Sequence, residues 1–454
     1  MLLIARYVIP VCSAPIENGA VLVRDGVIAE IGYATKLKTR YPEEETLDFG
    51  LGAIMPGFVD AHTHLEYSAM RGLINDSPYA AWKLHIAQHE KLFAPQDWED
   101  SALLGAMEAL RSGITTIADI SKTGASLRAA QAVGMRGIIY REVGTMDRHE
   151  IENELQAAKS DISSWREQSQ NCCEGRLQIG IAPAALYNCH PHIFEGIANF
   201  AADGTPVALH LAGSREEYEF IRYGSSPFSV HSTEQERGYG IDMPPWLATG
   251  VSPVRYILNW GVLDAPNVMA IHCVHVDDDD ISKLVERDIA VAVCARCNAQ
   301  LAMGVPPLAK LTQAGLRVGI GTDSPAAVDA TDPLSEMRLN LLLARALGSR
   351  KEFPAAAEML YLATLGAARA LRIDDQTGSL AQGKCADIIA VDLSNSSQVP
   401  THDPNSAIVH TATRENILMT MIGGNIVYDG QHRHSIDTQR VFARAEELRV
   451  KLRD

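Results

Sequence analysis

The feature that most constrains the fold is a series of short apolar segments that alternate with helical segments from residue 56 to residue 375. Each apolar segment is short enough for a buried strand. The predicted strands cover residues 58–62, 114–119, 137–141, 177–182, 207–211, 268–272, 290–294 and 318–321. Eight strands, each followed by a helix, within about 320 residues are typical of a parallel barrel surrounded by helices. Periodicity alone also allows an open, doubly wound sheet. Polar residues at the strand ends favour the barrel, because catalytic residues of that fold lie where strands run into loops.

Short strands and tight turns flank this region on both sides. Residues 20–32 predict two strands joined through Asp25-Gly26, a strong hairpin signal. Residues 387–392 and 424–430 predict partner strands, and residues 438–452 predict a final helix. The predicted architecture is therefore α/β. It combines a (β/α)8 TIM barrel over residues 56–375 with a small β-sandwich domain built from residues 1–55 and 376–454.

Two histidines, His62 and His64, lie two residues apart at the end of the first predicted barrel strand. Side chains two apart on a strand share a face, so both imidazoles can converge on one metal ion. His210 ends the fifth predicted strand, and Asp323 follows the eighth. Three imidazoles and a carboxylate suit Zn²⁺ or Fe²⁺, which would lower the pKa of a bound water and supply hydroxide at neutral pH. Asp323 could take the proton of that water and pass it to the leaving group.

His272 and His275 are three residues apart at the end of the sixth predicted strand, so only one of them can point into the barrel. We expect His272 to face inward, where it could orient the hydroxide or polarise the substrate. The four aspartates at 277–280 precede an apolar helix, which favours helix capping over a calcium site.

Two connections, residues 75–95 and residues 218–250, are longer than a plain helix requires. Above a barrel mouth, long connections are usually lids or walls that set specificity, and the alternative is a solvated insertion.

The charge balance excludes some classes of partner. The 454 residues contain 40 Lys and Arg against 56 Asp and Glu, a formal net charge of -16. An acidic surface argues against nucleic acid or an anionic membrane as the main partner, and it says nothing about a buried site for a small-molecule substrate. No apolar segment reaches transmembrane length, no basic leader precedes the first apolar run, and the eight cysteines form no regular framework. These features predict a cytoplasmic protein.

The sequence resembles the amidohydrolase superfamily, in its branch of chlorohydrolases and aminopurine or pyrimidine deaminases. The resemblance is carried, in order along the chain, by residues 56–64, 207–210, 271–273, 321–324, 363–367 and 378–387. It implies a barrel with a β-sandwich and one divalent metal ion, Zn²⁺ or alternatively Fe²⁺. The implied metal ligands are His62, His64, His210 and Asp323, with His272 beside the hydroxide. The resemblance further implies hydrolysis of a carbon–nitrogen bond other than a peptide bond, and it is compatible with a homodimer.

Loop patterns at residues 64–68, 78–82, 214–220 and 224–228 resemble the aminodeoxyfutalosine deaminase group more specifically. By analogy, Glu66 and Arg71 are predicted to contact polar groups of the substrate. The alternative for each is a surface or loop-bracing role. Trp82 and Tyr187 complete the predicted substrate-binding set.

Three departures from the family pattern bear on function. The family usually has His-x-x-Glu after strand five, and that Glu protonates the ring nitrogen; here the fourth residue is Gly213. At strand four the family often has Pro-His-x-x-Tyr, where this sequence has Pro183-Ala184-Ala185-Leu186-Tyr187. At strand seven the family pattern is Cys-Pro-x-Ser-Asn, where this sequence has Cys294-Ala295-Arg296-Cys297-Asn298.

The missing acid leaves three functions open. The first is a deaminase with a replacement acid, for which Glu216 or Glu217 would have to reach back toward Gly213. The second is a hydrolase of a cyclic amide or a halogenated ring, in which Asp323 alone moves the proton. The third is a barrel that keeps its metal and binds a ligand without turnover.

Overall fold

The strands of the computed structural model form two sheets of eight strands each over the residues it describes, which are 1–173, 175–228, 248–348, 353–431 and 436–453. The strands flanking the barrel on its N-terminal side are β1 Leu2–Val8, β2 Ile16–Arg24, β3 Val27–Tyr33, β4 Thr46–Asp48 and β5 Ala53–Pro56. The barrel strands are β6 Phe58–Thr63, β7 Ile114–Ser121, β8 Arg136–Val143, β9 Leu177–Pro183, β10 Val207–Leu211, β11 Val268–His272, β12 Ala290–Val293 and β13 Arg317–Ile320. The C-terminal strands are β14 Ile388–Val391, β15 Ile417–Ile422 and β16 Asn425–Tyr428.

The helices connect the barrel strands and cover both ends of the chain. The α-helices are α1 Ala34–Arg40, α2 Tyr79–Glu90, α3 Pro95–Arg111, α4 Ala125–Val133, α5 Ile151–Cys173, α6 Pro191–Ala201, α7 Arg215–Tyr223, α8 Pro253–Leu258, α9 Asp278–Glu286, α10 Ala295–Gln300, α11 Leu308–Gln313, α12 Pro325–Val328, α13 Pro333–Leu347, α14 Ala356–Leu362, α15 Leu365–Ala370, α16 Pro404–Thr411 and α17 Thr438–Lys451. Short 3-10 turns cover Leu65–Met70, Leu186–Asn188, Val262–Asp264 and Arg414–Asn416. Among the helices described here, none is both long and apolar enough to cross a membrane.

Strands β6 to β13 pair in sequence order, and every pair is parallel. The first and last strands meet at a seam, where Thr63 forms a parallel bridge with Asp323. The backbone N–H of Asp323 donates to the carbonyl oxygen of His62 across this seam at 2.9 Å. The predicted barrel is therefore confirmed, and the seam brings two predicted metal ligands together.

Gly321 allows the close approach of the two strands at the seam. A Cβ atom at this position would lie 2.8 Å from the backbone nitrogen of His62, a distance that real side chains do not adopt. A larger residue would therefore push the strand that carries Asp323 away from the strand that carries His62.

Both chain ends contribute to the second sheet, as predicted. β1 pairs with β2 in an antiparallel manner and with β4 and β5 in parallel, and β5 pairs antiparallel with β14. The predicted hairpin is present, with Arg24 opposite Val27 on either side of Asp25-Gly26. The eight strands join in one mixed sheet that forks at β1. The domain boundaries at residues 55/56 and 375/376 stay predictions.

A buried ion pair connects the barrel to this sheet. Arg136, at the start of β8, donates from Nε to Oδ2 of Asp387 at 2.7 Å, and both side chains are almost completely buried. The Asp387 Oδ1 atom accepts the backbone N–H of Gly423 in the turn between β15 and β16. The ion pair therefore connects the barrel to the second sheet at the end of the barrel opposite the predicted site.

Candidate active site

The four predicted metal ligands converge at the C-terminal mouth of the barrel. The Nε2 atom of His62 lies 3.5 Å from Oδ1 of Asp323, and Nε2 of His64 lies 4.0 Å from the same oxygen. The Nε2 atoms of His64 and His210 are 3.4 Å apart. Ligands from the first, fifth and eighth barrel strands thus surround one point, as a single metal ion requires.

His62 gives the most direct test of whether these residues fit a metal ion. Its side chain is completely buried, and neither ring nitrogen has a hydrogen-bond partner among the described residues. Buried polar atoms are normally satisfied, so an orphaned imidazole needs an explanation. A cation bound by His62 and Asp323 would satisfy one of these two nitrogens.

The protonation states of the candidate ligands also fit a metal ion. Burial lowers the pKa of His64 to about 3, and burial together with the neighbouring imidazoles lowers the pKa of His210 well below its usual value. Burial opposes ionisation of Asp323, but the imidazoles of His62, His272 and His64 around it hold the pKa of this carboxyl well below normal. Neutral imidazoles and an ionised carboxylate are the ligand forms that a divalent metal ion binds. The donor set therefore fits a divalent metal ion.

Two contacts orient the ligands. The Nδ1 atom of His64 donates to the carbonyl oxygen of Ile120 at 3.3 Å, which leaves the Nε2 lone pair free to face the cluster. Asp60 braces the seam, since its Oδ1 accepts the backbone N–H of Thr322 at 2.8 Å and its Oδ2 accepts the Thr322 hydroxyl at 2.5 Å. The sequence motif contains Asp60, but its spacing from His62 does not reveal this role.

The backbone is strained where these strands end. Ala212, His272 and Asp323 have φ angles of 51°, 76° and 63°. Residues other than glycine seldom adopt this left-handed region, and such strain is concentrated at functional sites. The three residues follow or end the fifth, sixth and eighth barrel strands.

His272 lies in the same cavity, in agreement with its predicted inward orientation. The Asn298 side-chain amide donates to its Nδ1 at 3.2 Å, which places the ring proton on Nε2, 3.8 Å from Oδ2 of Asp323. Burial lowers the pKa of His272 to about 4, so the ring is neutral. His275 instead contacts the carbonyl oxygen of Met303 at 2.8 Å and packs outside the cavity.

A cavity opens above the cluster at the mouth of the barrel. Helix α2, in the first of the two long connections, covers it with Tyr79, Trp82, Lys83 and Ile86, which lie on one helical face. The barrel contributes His64, Tyr67, Glu142, Ala185, His210, His272, Cys297, Asp323 and Ser324. Of the second long connection, residues 229–247 lie outside the described residues.

Two of the four predicted substrate residues are at this cavity. Trp82 lines it, and the indole N–H donates to the carbonyl oxygen of Ala326 at 3.2 Å. Tyr187 lies one layer behind, with its hydroxyl 2.7 Å from the hydroxyl of Tyr79. Its ring stacks on Phe228 with 3.7 Å between centroids.

The structure places Glu66 and Arg71 away from the cavity. Glu66 is completely buried, and its carboxylate accepts hydrogen bonds from the loop after β7. The donors are the hydroxyls of Ser121 and Thr123 and the backbone N–H groups of Lys122, Thr123 and Ala125. Arg71 pairs with Glu108 of α3. These contacts correspond to the loop-bracing alternative.

At residue 213, where the family has an acid, the structure has little space for a side chain. A Cβ atom on Gly213 would lie 2.9 Å from Cδ2 of His272 and 3.2 Å from the Met303 methyl group. Glu217 does reach back, but its carboxylate accepts the backbone N–H groups of Ala212 at 2.9 Å and Gly213 at 3.1 Å. Burial raises the pKa of Glu217 to about 7. Glu217 therefore braces the strained turn and does not line the cavity.

The other unusual motifs have structural roles. In the 294–298 segment, Arg296 donates to the carbonyl oxygens of Val328 at 2.7 Å and Ala330 at 2.9 Å, which holds the loop after the eighth strand. Asp277 and Asp280 form a capping box at the start of α9, in agreement with the predicted helix cap.

Eight residues that line the cavity were not among the predicted site residues: Tyr67, Tyr79, Lys83, Ile86, Glu142, Ala185, Cys297 and Ser324. Glu142 carried a usable signal, because it lies at the C-terminal end of a barrel strand, where functional residues are expected. Lys83 carried none, since a lysine in an amphipathic helix is usually on a solvated face.

Comparison with protein families matches residues 53–427 to the Amidohydrolase family. Two curated relatives span nearly the whole chain. A 5-methylthioadenosine/S-adenosylhomocysteine deaminase from Symbiobacterium thermophilum is 31% identical over 441 residues, covering 96% of this chain and 94% of the relative. A protein of the same name from Pelotomaculum thermopropionicum is 30% identical over 444 residues, with 96% and 94% coverage.

Solved structures match over the same length. An adenosine deaminase from Xanthomonas campestris with bound zinc superimposes with a TM-score of 0.84 at 25% identity, covering 100% of this chain and 98% of that one. An atrazine chlorohydrolase from Arthrobacter aurescens complexed with zinc gives a TM-score of 0.82 at 22% identity, with 98% and 99% coverage. At this identity, the match to the chlorohydrolase is evidence for the fold alone.

Proposed function

Because the chain belongs to the amidohydrolase family, we propose that it is a metal-dependent deaminase that removes the ring amino group of an aminopurine nucleoside. The predicted enzyme class is confirmed: the protein is a hydrolase that acts on carbon–nitrogen bonds other than peptide bonds. Both relatives described above are named as deaminases of adenine nucleosides, which supports the substrate class.

The observation that carries this proposal is the complete ligand set around the orphaned ring of His62. His62, His64 and His210 form one group of potential ligands, and Asp323 lies within 4.0 Å of both His62 and His64. These four residues would hold one divalent ion, for which we propose zinc, with Fe²⁺ as the alternative. The zinc in the Xanthomonas campestris structure supports this choice. When bound, the ion would supply a Lewis acid that makes water nucleophilic at neutral pH.

The side chains of the chain itself then move the protons. Water attacks the ring carbon that bears the amino group, so a carbon–oxygen bond forms, the carbon–nitrogen bond breaks and ammonia leaves. Asp323 is ionised and can take the proton of the attacking water on Oδ2 and deliver it to the departing nitrogen. His272, with its Nε2 proton directed at Asp323 Oδ2, can donate a hydrogen bond to the attacking oxygen. Trp82 and Tyr79 cover the cavity and restrict access of bulk water.

A second candidate is hydrolysis of a cyclic amide or a carbon–halogen bond. The observation that favours it is Gly213, which leaves the fifth strand without the acid that protonates a ring nitrogen. Asp323 alone could serve a substrate that needs no such proton. The non-catalytic alternative has less support, because the metal ligands and His272 are all in place.

Ammonia release from metal-loaded protein tests the proposal. The panel contains adenosine, 5-methylthioadenosine, an aminodeoxyfutalosine-type nucleoside, guanine, a cyclic amide and a chlorinated triazine. We expect turnover of at least one adenine nucleoside and its loss in Asp323→Asn. Release of chloride, or opening of the cyclic amide, without ammonia from any nucleoside would favour the second candidate. Cytoplasmic location and a homodimer stay predictions.

A further inference from the structure

Two opposite charges face the cavity without partners. Lys83 of α2 and Glu142 at the end of β8 both line it. Among the described residues, neither side chain has a hydrogen bond or an ion pair within 4 Å. A lysine and a glutamate that share a cavity but form no ion pair leave a gap that a ligand group can bridge.

Three neighbouring charged side chains, Glu90, Arg141 and Glu66, do have partners. The lack of a partner is therefore not common to every charged residue near the cavity. Glu90 accepts from the Tyr67 hydroxyl at 2.9 Å and from Nζ of Lys122 at 2.8 Å. Arg141, next to Glu142, pairs with Asp161 at 2.8 Å. The carboxylate of Glu66 is saturated by the loop after β7.

Both side chains are half-buried in the wall of the cavity. Burial raises the pKa of Glu142, and the charges of Lys83 and Lys122 oppose that rise. Unpaired charged groups in a cavity are concentrated at binding and catalytic sites. Lys83 and Glu142 line the same cavity as the candidate metal ligands without belonging to that set, so they are available to the non-reacting end of a substrate.

We propose that Lys83 and Glu142 form a subsite for the sugar hydroxyl groups of the substrate, so that the enzyme acts on nucleosides in preference to free bases. This inference rests on the proposed function. A hydroxyl group both donates and accepts, so a vicinal diol can donate to the carboxylate of Glu142 and accept from the ammonium of Lys83. The two charges cancel, which suits a neutral group better than a cation or an anion.

The subsite can be tested by binding of reaction products, without turnover. Isothermal titration calorimetry of metal-loaded protein would give Kd values for inosine, 2′,3′-dideoxyinosine and hypoxanthine. The variants are Glu142→Gln and Lys83→Met, and Lys283→Met is the matched control because Lys283 is paired with Asp279 on α9, outside the cavity.

We expect each subsite variant to weaken inosine binding by about 10- to 100-fold, the range for a lost hydrogen bond to a charged group. Binding of hypoxanthine and dideoxyinosine should change by less than about 2-fold, which also shows that the variants fold. Lys283→Met should bind all three ligands as the wild type does. Equal weakening of all three ligands, unchanged inosine binding in both variants, or no binding of inosine by the wild type would overturn the subsite.

The two proposals fail separately. If inosine binding depends on Lys83 and Glu142 but adenosine releases no ammonia, the subsite stands and the deaminase proposal fails. If adenosine is deaminated but the variants bind inosine normally, the deaminase proposal stands and the subsite fails.

Discussion

The Nε2 atom of His62 lies 3.5 Å from Oδ1 of Asp323, across the seam where the first barrel strand meets the last. The two residues are far apart in sequence, and only closure of the barrel brings them together. The Thr63–Asp323 bridge and the hydrogen bond from Asp323 N–H to the His62 carbonyl oxygen fix this approach. The metal site is thus a direct product of the barrel closing.

Asp60 should support metal binding without being a ligand. Asp60→Asn replaces one of the oxygens that accept from Thr322 with an amide donor, which should loosen the seam beside His62. Changes to such supporting contacts typically reduce metal affinity by about 10- to 100-fold. A chelator competition assay measures this, with Thr322→Val as a milder control that removes only the hydroxyl. Unchanged affinity in Asp60→Asn would contradict this role.

Glu66 should stabilise the fold without contributing to substrate binding. Glu66→Ala removes the acceptor of the partly buried N–H groups of Lys122 and Thr123 and one of the two acceptors of the Ala125 N–H. The hydroxyls of Ser121 and Thr123 lose their acceptor as well, so we expect a loss of about 3–5 kcal/mol in the free energy of unfolding. Urea denaturation gives the value. Glu99→Ala, which removes a partly exposed ion pair with Arg128, should cost less than about 1 kcal/mol. A raised KM with unchanged stability would restore the substrate role.

Putting a glutamate at residue 213 should not improve catalysis. In Gly213→Glu and in Gly213→Ala, the Cβ atom meets the ring of His272, which has no room to move without leaving Asn298. A displacement of about 1 Å can cost on the order of 10²-fold in rate, so kcat should fall in both variants while metal content stays the same. Steady-state kinetics and metal analysis report the two quantities. A Gly213→Glu variant faster than the wild type would show that the space can open.

Acid should destabilise the metal-free protein through its neutral histidines. The pKa of His64 is lowered to about 3 and that of His272 to about 4, whereas in the unfolded chain each is about 6.5. Below pH 6.5 the unfolded chain therefore binds more protons, and stability falls with pH by about 1.4 kcal/mol per unit for each histidine that stays neutral. The loss of stability ends when the pH reaches the pKa values that these two histidines have in the folded protein, about 3 and about 4.

Comparison of the wild type with His64→Asn isolates this effect. Asp60 and Glu217, whose pKa values rise to about 6 and about 7, act in the opposite direction in both proteins. Guanidinium denaturation gives the free energy of unfolding at each pH. Between pH 5 and 6.5 its slope with pH should be smaller in the variant, by the equivalent of about one bound proton. Equal slopes would mean that His64 is not held neutral by burial.

The sequence could predict the barrel because strand and helix periods repeat eight times, and it could place the candidate metal ligands at strand ends because they follow apolar strands. It could not predict where Glu66 points, since that depends on a loop at residues 121–125 that only folding brings near. Lys83 and Glu142 were missed for a similar reason: each is an ordinary charged residue until α2 folds over the barrel mouth. The steric role of Gly213 likewise depends on the position of the His272 ring.

The most direct measurement is ammonia release from adenosine as metal-stripped protein is reconstituted with increasing zinc. The account predicts no activity in the stripped protein and a rate that rises in proportion to occupancy and levels off at one equivalent. It also predicts that Asp323→Asn stays inactive at every occupancy that it reaches. Equal rates with and without metal, or no ammonia from any adenine nucleoside at full occupancy, would contradict it.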